Sequence, residues 1–263
     1  EGPGLVKWLD RMRFMMRVEV ADRSGEYATI CMLGALALPA AAPNGVPLVW
    51  HDPWRDVTPG GHQYAHPAQH PAAGWTYAEV LVDRADAAAV ASVAAVPAAG
   101  TLALDALRIA AWRPRLTTEV DDKTIPHELD WLRSAVHLNK GCYRGQETVA
   151  KVHNLGHPPR RLVMLHLDGS EGVLPAAGDP VVLAGPAEAD PTTQVGRVTS
   201  AAIHHELGPI ALAVIKRMVD PAADLVVVSE GTSIAAAQEV IVPPDAGAEA
   251  NVPRLPRLGA VSR

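Results

Sequence analysis

After Gly156 the chain breaks into short apolar runs cut by Gly, Pro and Asp: RRLVMLHLDG, DPVVLAG, QVGRVTSAAIHH, PIALAVIKRMV and DLVVVSEG. Runs this short, rich in Val, Ile and Leu and bounded by turn residues, read as β-strands. Five or six strands at this spacing, with no long helix between them, restrict the region to a small β-barrel or sandwich. It occupies residues 158–235. Beyond it, PPDAGAEANVPRLPRLGAVSR has too few periodic apolar residues to pack, so residues 236–263 are expected to form a disordered tail.

Residues 1–157 have a different grain and read as a mixed α+β domain. Leu5, Trp8, Leu9 and Met12 share one face of a 3.6-period helix. MMRVEVAD and YATICMLGAL, joined by RSGE, read as a hairpin, with Cys31 as a small buried hydrophobe of its second strand. A Pro- and Gly-dense stretch follows to about residue 74, its middle reading as a long surface loop. WTYAEVLVD is a further strand. DRADAAAVASVAAV is a helix with Asp83 as its cap, ended by Pro97. TLALDALRIAAWR is another helix, and IPHELDWLRSAVHL a third with Leu129, Leu132 and Val136 on one face.

Bulk properties remove several classes of function. A formal net charge of -6 argues against a nucleic-acid binder, which would carry a basic surplus. No run of about 18 apolar residues free of charge appears, so no membrane helix is expected. Two distant cysteines, Cys31 and Cys142, rule out a disulfide framework or a four-cysteine zinc site. With no signal peptide visible, the expected compartment is the cytoplasm. The chain opens in mid-stride on Glu1 rather than Met, which suggests a processed chain or a fragment without its front part.

Two constellations carry candidate chemistry. His62, His66 and His70 recur every four residues, with His51 upstream. On a helix that spacing stacks imidazoles as a metal site needs, but Gly60, Gly61, Pro67 and Pro71 break any helix here. A solvated loop is the better reading, and no metal site is expected.

The second is KGCYRGQE, residues 140–147. Gly141 and Gly145 let the backbone bend on either side of Cys142, and QETVAKVHN reads as a helix just beyond. Unpaired N–H groups at a helix start, with Lys140 and Arg144 nearby, favour a thiolate. Two readings of Cys142 stay open at this point: a reactive thiol, or a cysteine that merely packs. Tyr143 is placed to stack on a planar ligand or to fill core. Gln146 and Glu147 either shape a pocket or simply start the helix.

The whole stretch resembles the K-G-C-Y-x-G-Q-E motif of the YgfZ family, folate-binding relatives of the glycine cleavage T-protein. LRIAAWRPR, IPHELDWL, GHPPRRLVML, VGRVTS and GPIALAVIKR are also similar to that family, over about residues 1–230. The resemblance implies a partial T-protein-like folate-binding domain, with ferredoxin-like and middle parts, followed by a small C-terminal β-barrel. The front portion of the folate-binding domain would be absent. It implies tetrahydrofolate as cofactor and a role in assembling or repairing iron–sulfur clusters of client enzymes, including those that modify tRNA; eukaryotic relatives act in mitochondria. On this reading Cys142 is the reactive residue. Tyr143, Lys140, Arg113 and Arg115 are the candidate folate contacts, the cations facing the glutamate tail.

Departures from T-proteins bear on chemistry. Ala110 stands where T-proteins carry a pterin-holding glutamate, and Cys142–Tyr143 where they tend to show Asp–Phe. Losing a carboxylate removes a charge and two acceptors. Two alternatives to the iron–sulfur reading remain. One is a tetrahydrofolate-dependent aminomethyltransferase; the other is a non-catalytic module docking a client through GHPPRR and the barrel.

Overall fold

The computed structural model describes residues 2–34, 37–66, 68, 70–93, 97–185 and 193–251. It is a mixed α/β fold ending in a closed six-stranded barrel. The described residues divide into two compact units, one from segments 1–52 and 76–98, the other from 53–75 and 99 onward.

In the first unit, β1 (Tyr27–Leu33) and β2 (Val49–His51) flank β3 (Tyr77–Asp83) in an antiparallel sheet. Strict alternation along β3 buries Ala78, Val80 and Val82 on one face. The expected hairpin does not form. Residues 16–22 make no strand, and β1 pairs with β3 instead, Cys31 opposite Glu79. The backbone of the earlier segment is held locally, Arg13 Nη1 donating to Val18 O at 3.0 Å. Cys31 is exposed rather than buried, because the pleat turns Ile30 and Met32 to the other face. Helix α1 (Gly2–Met12) follows the expected period, yet none of its residues is buried. Asp83 provides no side-chain cap for the turn before α2 (Ala87–Val93). Instead, the Arg84 guanidinium donates to the carbonyls of Ser24, Gly25 and Tyr27. Residues 94–96, expected to end that helix, lie outside the described residues.

In the second unit, β4 (Arg160–Leu167), β5 (Pro180–Leu183), β6 (Gln194–His204), β7 (Gly208–Lys216), β8 (Leu225–Ser229) and β9 (Thr232–Val240) close in the order β4-β7-β6-β5-β8-β9. All neighbours pair antiparallel. The apolar runs of β4 and β7 are continuous because both faces are covered. Val163, Leu165, Ala211, Ala213 and Ile215 fill one core cluster, while Leu162, Met164, Ile210, Leu212 and Val214 pack into another with Tyr64, Ile109, Trp112, Leu129 and Leu132. Each such side chain contributes about 1.5–3 kcal/mol by leaving water.

Two polar networks fasten helices to this barrel. Glu119 of α4 (Leu116–Glu119) accepts from the Arg115 N–H at 2.6 Å and from the Ser200 hydroxyl of β6. Arg108 of α3 (Thr101–Ala110) donates to the same Ser200 Oγ at 2.7 Å and lies 3.5 Å from Glu119. Arg160 of β4 grips Asp121 at 2.6 Å and Glu128 at 2.8 Å, and Arg197 of β6 reaches Asp121 at 3.2 Å.

Three expectations change here. The described residues of the stretch 53–75 do not form a surface loop: Trp54, Tyr64, Ala65, Ala72 and Trp75 are buried. The third expected helix is two 3-10 turns, Pro126–Leu129 and Trp131–Arg133, broken at Asp130 with φ 55°. Buried polar anchors explain the break: Asp130 Oδ1 accepts from the Tyr64 N–H at 2.7 Å, and Glu128 faces Arg160. One smooth helix would not aim both. Lastly, the tail expected from residue 236 begins instead as the second half of β9. Ile241, Val242 and Ala246 are then buried, and the N–H groups of Ala248, Glu249 and Ala250 donate to the carbonyls of Val152, His153 and Asn154. Two of these, the His153 and Asn154 carbonyls, lie in the last turn of a helix, which leaves its carbonyls short of partners, while Val152 also accepts from the Gly156 N–H. The remainder, 252–263, lies outside the described residues.

Candidate functional site

KGCYRGQE lies on the second unit, between the 3-10 turns and α5 (Gln146–Leu155). Gly145 caps α5 with φ 83°, a left-handed conformation suited to glycine, and its carbonyl accepts from Val149 at 3.1 Å. The Gln146 N–H closes the turn onto Tyr143 O at 3.2 Å. Residues 58–62 run beside the segment leading into the motif. Thr58 and His62 donate to the carbonyls of Arg133 and Leu132, and Leu138 donates to Gly60 O at 2.7 Å. Gly60 has φ 74°, a left-handed conformation that suits glycine, and a Cβ there would also come within 2.5 Å of the exposed His137 ring.

Two depressions meet at Tyr143. One, of about 380 Å³, is lined by Thr58, Pro59, Ser134, Ala135, Val136, His137, Lys140 and Tyr143. The other, of about 370 Å³, is lined by Gly60, Gly61, Leu138, Asn139, Tyr143, Gln146, Ala150, His153 and Asn154. Both volumes fall within the range of small-molecule sites. The first is mainly apolar with a cation at its rim. The second presents three side-chain amides and an imidazole. The Lys140 ammonium sits 5.7 Å from the Tyr143 ring centroid, within reach of a cation–π contact.

The sequence candidates separate into those at these depressions and those elsewhere. Lys140, Tyr143 and Gln146 line them. Cys142 is exposed and free, next to Tyr143 in the chain; Gly141, Arg144 and Glu147 are exposed as well. Arg113 and Arg115 are engaged elsewhere. Arg115 pairs with Asp105 at 2.8 Å, and the Arg113 guanidinium lies over Trp54, 5.5 Å from its ring centroid. Neither lines either depression. Ala110 is half-buried and packs against the core.

The histidines disperse. His66 is exposed, while His70 accepts from the Arg133 guanidinium beneath Trp54 and is driven to a pKa of about 4 by burial first and Arg133 second. Among the described residues no three His, Cys, Asp or Glu side chains are grouped to hold a metal ion. His62 instead joins an aromatic group that sequence reading missed. Its ring meets His153 at 4.7 Å and Tyr64 at 4.8 Å, and its Nε2 lies 3.4 Å from Glu249. His127 stacks on Tyr64 and donates from Nε2 to Val149 O at 3.0 Å. Burial, ahead of all else, lowers its pKa to about 4. One signal was present in the sequence: Gln146, Ala150 and His153 follow the i, i+4, i+7 spacing of a single helix face.

GHPPRR is largely occupied by its own fold. His157 donates from Nδ1 to Ala246 O at 2.9 Å. Arg161 is fully buried and bonds Val219 O and Gln238.

No helix among the described residues is long and apolar enough to cross a membrane. No curated protein matches the chain. Residues 160–244, which span the six-stranded barrel, match the family model of the glycine cleavage T-protein C-terminal barrel domain.

Proposed function

We propose that this protein is a folate-binding accessory factor of the YgfZ type, serving the assembly or repair of iron–sulfur clusters in client enzymes. The observation that carries the reading is Tyr143: one aromatic residue of KGCYRGQE forms the shared wall of two adjoining depressions. A reduced folate has a pterin whose pyrimidinone ring is flat, an aminobenzoyl link and an anionic glutamate tail. The amide-lined depression suits the pterin edge, Tyr143 its face, and Lys140 the carboxylates. A barrel that matches the T-protein model agrees with a folate ligand. Arg113 and Arg115 drop out as tail contacts, since Arg115 is paired and neither lines the depressions.

Cys142 is the reactive group in this proposal. Its exposure leaves the thiol accessible to a client protein or a small-molecule oxidant. No carboxylate lines either depression, so aminomethyl transfer assisted by one gains no support from this site. Docking through GHPPRR gains little either, because Arg160 and Arg161 are spent on internal contacts.

Complementation tests the proposal. In a bacterium lacking its own protein of this type, the chain is expressed with Cys142 or with Cys142→Ala, reading the activity of an iron–sulfur tRNA-modifying enzyme. Rescue by the cysteine form alone is expected. Equal rescue by both forms would make the thiol dispensable and overturn its assigned role.

A further inference from the structure

His153 stands on α5 and lines the amide-bearing depression with Gln146, Ala150 and Asn154. Its Nδ1 lies 2.9 Å from Tyr64 Oη. Tyr64 is 1% exposed, and its hydroxyl has no other hydrogen-bond partner among the described residues. A buried hydroxyl proton left without an acceptor costs about 1–3 kcal/mol, so Tyr64 O–H donates and Nδ1 accepts.

Charge states agree with that direction. Burial, then the neighbouring His62, holds the His153 pKa below its ordinary value. Burial, followed by the charges of Glu249 and Asp130, keeps the Tyr64 phenol protonated well above its usual range. A neutral imidazole that accepts at Nδ1 carries its proton on Nε2. That Nε2 has no hydrogen-bond partner among the described residues and is not among their buried unpaired atoms. It is therefore open to a ligand.

The groups around the ring come from three segments. His62 and Tyr64 lie on the stretch before the sheet's last strand, Gln146 and Asn154 on α5 itself, and Glu249 on the C-terminal segment, 3.4 Å from His62. The lining of the depression contains no Asp, Glu, Lys or Arg. Such a pocket suits an uncharged ring with donors and acceptors along its edge better than it suits a phosphate or carboxylate.

We propose that Tyr64 fixes His153 as an Nε2–H donor to the acceptor edge of an uncharged heteroaromatic ring lying against Tyr143. The inference rests on the ligand reading above and adds the residue that orients the ring. Tyr64 is a positioning residue; His153 makes the contact. Sequence spacing conceals the pair, because 89 positions separate the two side chains.

Two measurements test it on the whole chain. Two-bond nitrogen–proton spectra of histidine-labelled protein read the tautomer directly. The wild type is expected to show His153 as Nε2–H, and Tyr64→Phe, which keeps the ring, to show a mixture. Calorimetric titration with 5-formyltetrahydrofolate reads the contact. His153→Ala is expected to weaken binding about tenfold, and Tyr64→Phe about threefold. His153→Gln, whose terminal amide restores a donor, is expected to recover most of the affinity, and it substitutes for the alanine variant if that unfolds. An Nδ1–H tautomer in the wild type, or wild-type affinity in both His153 variants, overturns this inference while folate binding stands. No binding by the wild type overturns both the inference and the folate reading.

Discussion

The barrel and the N-terminal unit use similar residue types to opposite effect. In the barrel, β4 and β7 carry apolar side chains on both faces, and Leu162, Leu165, Leu212 and Ile215 are fully buried. In the N-terminal unit, α1 presents an equally apolar stripe, yet Leu5 is 56% exposed and Met15 beyond it 97%. The difference teaches that an apolar pattern specifies an element, whereas burial depends on what the chain supplies to cover it. Closure of the barrel gives every strand two neighbours, while β1 and β2 each have one.

Mutations should expose that contrast. Glu119→Ala strips a fully buried carboxylate from the Arg115 N–H, the Ser200 hydroxyl and Arg108, which keeps Asp105 as its ion-pair partner, and is expected to cost about 3–5 kcal/mol in urea unfolding of the second unit. Leu212→Ala, in the barrel, is expected to cost about 2–5 kcal/mol. Leu5→Ala, on the exposed stripe of α1, should change stability by about 0.5 kcal/mol or less. A Leu5 cost equal to that of Leu212 would mean that the stripe is covered in solution.

Acid sharpens the comparison within the second unit. Arg160, chief among its partners, holds the Asp121 carboxyl far below its ordinary pKa. That stabilisation is present above about pH 4 and is lost as pH falls below it. Asp130 behaves oppositely. Burial raises its pKa to about 7, so its contribution is full below about pH 4 and is lost as pH rises toward 7. Urea midpoints across pH 3–8 should therefore show the gap between Asp121→Asn and wild type beginning to narrow only below about pH 4. Asp130→Asn should gain on wild type as pH rises. The smallest effect is expected from Cys142→Ala. This free, exposed thiol should leave stability within about 0.5 kcal/mol of wild type, so any loss of function there reports chemistry rather than folding.

Barrel, sheet and site were unequally legible in the sequence. Five barrel strands stood out through Val- and Ile-rich runs between turn residues, but β9 did not. Its Ala-rich TSIAAAQEV lacks bulky apolar alternation, and the chain beyond it looked like tail. The break at Asp130 was hidden because Leu129, Leu132 and Val136 fit a helical period, and only the partners of Glu128 and Asp130 decide otherwise. Tyr143, Lys140 and Gln146 were found as a contiguous motif. Tyr64 and His153 were not, since their pairing depends on the segment around Tyr64 meeting α5, and a Pro- and Gly-rich stretch gives no period from which to read that.

The most direct test of the account is calorimetric titration of the chain with 5-formyltetrahydrofolate, comparing wild type with Tyr143→Ala. If Tyr143 is the wall against which the ligand lies, the wild type binds and the variant loses about tenfold or more in affinity. Equal binding by the two proteins would place the ligand away from the KGCYRGQE depressions and contradict the account.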